Sequence, residues 1–197
     1  MKKPRILPPI CIVLALLAGT ARAQEPDADR LTRPFGAGGT VHMKLSAGEY
    51  RIEGTPDDAI RVRWRTRNPQ DLKRTKVAVT VDGASATIQT HGPGEHFQVT
   101  IELPERTDIV LRLSAGDLQI RRIEGHKDVD VWAGDLTIEI GESDAYRRID
   151  ASVRAGELSI SPLRINKGGL FRSVKADGTG KYDLRVKLFA GDLKLIR

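Results

Sequence analysis

Cysteine is nearly missing from this 197-residue chain: the one copy, Cys11, sits in an apolar stretch close to the N-terminus. Beyond it no thiol nucleophile, thiolate metal ligand or disulfide can be built. Aromatic residues make up only 5%, too few to offer nucleic-acid bases a stacking platform, so no nucleic-acid partner is expected. The four histidines, His42, His91, His96 and His126, are scattered. No His-Glu-x-x-His, no Gly-x-Ser-x-Gly elbow and no phosphate-binding glycine loop occurs, so no catalytic residue, cofactor or metal set is named. An excess of one charge is missing too. Lys and Arg total 32 against 26 Asp and Glu, but Lys2, Lys3, Arg5 and Arg22 fall within the first 23 residues; the other 174 carry 28 against 26, or +2. A strongly basic, polyanion-seeking chain is thereby excluded as a whole-molecule property.

What is present begins with an address. A basic Met-Lys-Lys-Pro-Arg leads into a mostly apolar stretch from Ile6 to Ala18 and then the small-residue site Ala21-Arg22-Ala23. That order and size predict a secretory signal peptide over 1–23, hence export to the periplasm or beyond. The uninterrupted apolar run Ile10–Ala18 is half of what a bilayer span needs, and no later run comes closer, so no transmembrane segment is expected after cleavage. Residues 24–39, polar and rich in Pro, Gly, Asp and Arg, read as a flexible lead-in.

From residue 40 onward apolar residues alternate with period two, and no helical pattern of ten residues appears, which predicts a single all-β domain over 40–197. Within it one string recurs five times. It is Ala-Gly-acid, then Leu or Tyr, then any residue, then Ile or Leu, centred on Gly48, Gly116, Gly134, Gly156 and Gly191. Three residues before each glycine stand Leu45, Leu113, Val131, Val153 and Leu188; two after stand Tyr50, Leu118, Leu136, Leu158 and Leu193. The inward parity changes across the Gly-acid pair, as a glycine-centred corner requires. Gly-to-Gly steps of 18, 22 and 35 residues predict a β-solenoid or β-roll-like stack of short strands over 109–197, the last step carrying a loop insertion with turns at Asn166–Gly169 and Asp177–Gly180. Over 40–108 an antiparallel section is expected, with strands at Ile60–Arg65, Val77–Val81, Ala84–Gln89 and Phe97–Leu103 and a hairpin at Val81-Asp82-Gly83-Ala84.

The run from Leu103-Pro104 through Asp108-Ile109-Val110-Leu111-Arg112-Leu113-Ser114-Ala115-Gly116-Asp117-Leu118, with its further Gly-Asp copies, resembles the bacterial putative-adhesin family, a domain of unknown function. The similarity spans about Val41 to Ile196, with Ala before Gly where the family commonly has Ser or Thr. It implies an exported, β-helix-like domain with no established catalytic role.

Three constellations are candidates for function. Arg61, Arg63, Arg65 and Arg67 alternate along one strand, so four guanidinium groups share a face at ~6.6 to 6.8 Å spacing. They either hold the phosphates or carboxylates of an envelope polyanion, such as an acidic glycan or lipopolysaccharide, or form a solvated face paired with Glu53, Asp57 and Asp58. The acids Glu49, Asp117, Asp135, Glu157 and Asp192 form either a calcium ladder or turn-capping acceptors. Two positions before each glycine stand Ser46, Ser114, Trp132, Arg154 and Phe189; Trp132 and Phe189 form either a sugar-stacking platform or a patch covered by a loop. Together these point to an exported, non-enzymatic, adhesin-like or structural module of the cell envelope, contacting anionic glycans, lipids or another envelope protein. A small polysaccharide-acting enzyme of β-helical type is the alternative. The last repeat, ending at Ile196-Arg197, is expected to leave a strand edge through which copies could associate.

Overall fold

The computed structural model describes residues 29–197; the expected signal peptide and residues 24–28 lie outside them. Fifteen strands and one short helix follow in order: β1 (Arg30–Pro34), β2 (Thr40–Leu45), β3 (Glu49–Thr55), β4 (Ala59–Arg65), α1 (Pro69–Arg74), β5 (Lys76–Asp82), β6 (Ser85–His91), β7 (Gln98–Pro104), β8 (Asp108–Ala115), β9 (Leu118–Arg121), β10 (Lys127–Ala133), β11 (Leu136–Glu139), β12 (Tyr146–Ile160), β13 (Ile165–Asp177), β14 (Tyr182–Ala190) and β15 (Leu193–Ile196). The chain is all-β, as the period-two alternation predicts. Helix α1 is local chemistry: proline at its first turn fixes φ, Asp71 sits near the N-terminal end, and Lys73 and Arg74 face the C-terminal carbonyls.

One sheet runs in the order β1-β4-β7-β3-β9-β11-β15-β12-β14-β10-β8-β2-β6-β5, with β13 on β12. Its ends, β1 and β5, touch, so the sheet nearly closes into a flattened barrel. Long strand β12 belongs to both halves: Tyr146–Ala155 pairs with β14, and Leu158–Ile160 with β15. The halves enclose one core, with Val41, Leu111, Val129 and Val186 from one side and Ile52, Ile120, Ile138 and Leu195 from the other, all fully buried. Outward positions are mostly polar, with Trp132, Leu170, Phe171 and Phe189 as exceptions, so alternation decides which face each strand buries.

Neighbouring strands β2, β8, β10, β14 and β12 run parallel in exact register with their corner alanines aligned: Ala115 opposite Ala133, Ala133 opposite Ala190, Ala190 opposite Ala155. At the corners the glycines form a column. The N–H of Gly48 donates to Ala115 O, Gly116 to Ala133 O, Gly134 to Ala190 O and Gly191 to Ala155 O, at 2.8–3.0 Å. A Cβ on Gly116 would lie 1.9 Å from Gly48 O, and on Gly134 2.1 Å from Gly116 O; Gly191 and Gly156 meet Gly134 O and Gly191 O as closely. Gly116, Gly134, Gly156 and Gly191 also have φ between 115 and 137°. Two independent constraints, close backbone approach and positive φ, therefore select glycine here.

Five expectations are corrected. The rungs do not stack in chain order. The last, β14–β15, lies between β10–β11 and β12; its inward Leu184, Val186, Leu188, Leu193 and Leu195 continue the same apolar columns as the other rungs, so the alternation fits either order. Its edges are thus both paired, and the free strand edge expected at Ile196 does not exist. The Asn166–Gly169 turn is instead part of β13, which folds back antiparallel along β12 with Gly169 opposite Gly156; its exposed Lys, Gly and Arg residues suit an outermost strand. The 40–108 section is antiparallel only where β4 meets β7 and β5 meets β6, whereas β2 pairs parallel with β6 and β8, and β3 with β7 and β9. Alternation is the same for both directions, and only the Asp82–Ser85 hairpin was locally encoded. Finally, the lead-in becomes strand at Arg30–Pro34, antiparallel to β4, with Phe35 buried behind it.

Gly134→Ala is expected to lower stability by at least about 3 kcal/mol in urea titration. Gly83→Ala, at φ 56° with no atom within 4 Å of the added methyl, is expected to cost only about 1 kcal/mol. Equal costs would mean that the corner column is not a packing constraint.

Candidate functional site

The arginine strand is β4, whose Ile60 and Val62 point into the core while Arg61, Arg63 and Arg65 point outward. Arg61 NH1 donates to Asp57 Oδ2 at 2.8 Å and lies 3.6 Å from Glu102; Arg63 NH2 donates to Glu102 Oε1 at 2.5 Å. Arg65 and Arg67 differ. Arg65 Nε donates to the amide oxygen of Gln98 at 2.5 Å, and Arg67 NH1 lies 3.2 Å from His96 Nε2. One end of the row is therefore ion-paired with carboxylates, and the other contacts an amide and an imidazole, with Asp29, Glu49 and Asp117 lining the same cavity as Arg65; Arg67 lies just past the end of β4, so three of the four expected arginines share the strand. Of the acids expected to pair with this row, Asp57 does, while Glu53 binds Arg122 and Asp58 accepts the Ala37 N–H. Glu102 and Gln98 come from β7, which adjacency in sequence could not reveal.

Two of the five acids after the corner glycines accept backbone hydrogen bonds from the neighbouring rung, and Glu49 accepts one from the Gln98 side chain at 2.7 Å. Asp135 Oδ1 takes the N–H of Asp192, and Asp192 Oδ1 takes that of Glu157, at 3.3 and 3.1 Å. Among the described residues no group of three or more His, Cys, Asp or Glu side chains is close enough to hold a metal.

The outer positions before the corners form the second surface. In-register pairing sets Trp132 between Phe189 on β14 and Ser114 on β8. Trp132 and Phe189 stack with centroids 4.2 Å apart and planes 5° from parallel. Arg154 lies 5.1 Å from the Phe189 centroid and 5.5 Å from that of Phe171, within cation–π range. No loop covers this column: Trp132 is 62% exposed and Phe171 71%. Phe171, which the repeat pattern does not contain, reaches it through a left-handed backbone at φ 54° in β13.

Lys127 and its partner Tyr146 form a buried pair with strongly perturbed titration inside the core. Lys127 is 1% exposed; its Nζ donates to Tyr146 Oη at 2.8 Å and Gly125 O at 3.3 Å. Burial lowers its pKa from 10.5 to about 8, against the opposing pull of Asp108 and Glu124, and burial raises that of Tyr146. Perturbed groups often mark active sites, but Lys127 has no surface on which to meet a substrate. The repeat does expose the anomaly: seven residues before the other corner glycines stand Val41, Ile109, Ile149 and Leu184.

No family model matches the chain, and no curated protein does. Several solved structures resemble it, among them the following. A putative cell adhesion protein from Clostridium sporogenes ATCC 15579 is 17% identical with a TM-score of 0.47, covering 87% of this chain and 99% of that one. A putative adhesin from Parabacteroides distasonis ATCC 8503 is 9% identical with a TM-score of 0.26, covering 84% and 68%, and one from Bacteroides fragilis NCTC 9343 is 11% identical with a TM-score of 0.26, covering 87% and 99%. At such identities and TM-scores only this chain's own residues speak to function.

The unfolded chain keeps the Lys127 proton up to about pH 10.5 and the folded chain only to about 8, so the unfolded state binds more protons in between and stability rises with pH across that window. Urea midpoints are expected to climb between about pH 8 and 9.5 for the natural chain and to stay level for Lys127→Met. A natural chain with no climb would place the lysine in contact with water.

Proposed function

We propose that this chain is an exported, non-enzymatic contact protein of adhesin-like kind, a β-solenoid-like scaffold whose first contact with anionic envelope material is the Arg65–Arg67 end of the arginine strand. The observation that carries this reading is the split in pairing along the row: Arg61 and Arg63 on β4 are ion-paired with carboxylates, whereas Arg65 at the end of β4 and Arg67 just beyond it contact Gln98 and His96. Planar guanidinium groups not directly bonded to a carboxylate suit carboxylate or phosphate oxygens, whereas ones already bound to Glu102 would have to exchange one anion for another. The order of basic, apolar and Ala-Arg-Ala segments at the N-terminus supports export. No helix among the described residues is long and apolar enough to cross a membrane. A non-enzymatic role is supported by the corner acids Asp135 and Asp192, engaged with backbone N–H groups, and by the one strongly shifted lysine, sealed in the core.

Retention on immobilised lipopolysaccharide and on a polyuronate is expected to weaken at least tenfold between about 0.05 and 0.3 M salt, as screened charge contacts do. Arg65→Glu with Arg67→Glu is expected to remove it, while Arg61→Gln leaves most of it. Retention that ignores salt, or survives the double reversal, overturns this reading.

A further inference from the structure

The aromatic column is closed at one end and open at the other. Phe189 covers one face of the Trp132 indole, and Arg154 and Phe171 continue the stack beyond it. The opposite indole face looks over Ser114 and then Ser46, the in-register residues of the next two strands. Both hydroxyls are turned down onto the backbone: Ser114 Oγ donates to Leu45 O at 3.3 Å, and Ser46 Oγ accepts the Gly92 N–H at 3.1 Å. The space above them is an open cleft of about 490 Å3, walled by Trp132 on one side and bordered by His91 on the other. Along its lower rim Lys44, Arg112 and Asp130 occupy adjacent strands in register.

From this geometry we infer that the cleft beside Trp132 is a saccharide-binding subsite that takes one pyranose ring of a glycan, laid flat on the free indole face. Strands lie about 4.8 Å apart, so a ring placed over Ser114 continues the stack at nearly the spacing at which Phe189 already packs. The chemistry is complementary on both sides. A pyranose has an apolar C–H face whose hydrogens are weakly positive, and the indole face is electron-rich. Its hydroxyls radiate in the ring plane, toward Lys44 as a donor and toward the exposed Arg112–Asp130 pair, 3.9 Å apart, whose remaining N–H groups and carboxylate oxygen donate and accept; Arg112 also holds Asp128 at 3.3 Å. A flat aliphatic or lipid chain would leave that charged rim desolvated and unmatched, and a nucleobase would find no further free aromatic face beyond Trp132. The subsite lies on the half of the sheet opposite the arginine strand and does not depend on it.

Fluorescence of a Trp64→Phe chain, in which Trp132 is the sole indole of the described residues, tests the assignment with three probes: hexamers of β-1,4-glucose, β-1,4-N-acetylglucosamine and α-1,4-glucose. At least one is expected to shift the emission saturably below about 10 mM. Trp132→Ala, read by calorimetry, is expected to weaken that binding at least tenfold. Ser114→Phe, which sets a ring where the sugar would lie while leaving strand pairing intact, is expected to abolish it without lowering the melting temperature. Arg65→Glu with Arg67→Glu is expected to leave it unchanged, which separates this subsite from polyanion contact. No saturable change with any of the three sugars, or binding that survives Ser114→Phe, overturns the assignment.

Discussion

Everything in this structure depends on one short hydrogen bond repeated from rung to rung, the corner glycine N–H to the carbonyl of the next corner alanine. It can form only because no side chain separates the two backbones, the approach being closer than any Cβ permits. With the corners locked, the strands before and after each glycine fall into register automatically, and their inward residues meet in layers. The core is then less a set of pairwise fits than a series of columns, each filled by one position of the repeat.

The same alignment acts outside. A position that would be an isolated surface residue in another fold becomes one step of a ladder, so chance neighbours in the sequence repeat become physical neighbours at strand spacing. This brings Trp132 and Phe189, 57 positions apart in the chain, into a parallel stack, and places two serines beside them. It also turns the acids of successive corners into mutual supports through their neighbours' N–H groups. The arginine strand is held differently, by long side chains reaching across to β7, and its charge is uneven as a result.

Much of this was legible in the sequence where the signal was local. The five glycine corners, the inward parity on both sides of them, the hairpin at Asp82–Ser85 and the shared column of Trp132 and Phe189 all follow from counting residues. What was not legible is order in space. Nothing in residues 182–196 says that they insert ahead of residues 146–160, because every rung offers the same alternation to either neighbour. Glu102 and Gln98 as partners of β4, Phe171 as a fourth member of the column and strand β1 were hidden for that reason: each depends on which strand ends up beside which. Lys127 was available from the repeat, being the one charged residue in a column of Val, Ile and Leu.

The displaced position of β14–β15 also governs assembly. Strands β10 and β12 leave between them a gap one rung wide, which only later residues fill, so a growing chain cannot zip its layers together in the order in which it is made. Residues around 127 must wait for those around 184, and that long loop closure sets a slow step. Until the late rung arrives the middle of the sheet stays open, and the fold becomes rigid only when that rung enters the slot kept for it.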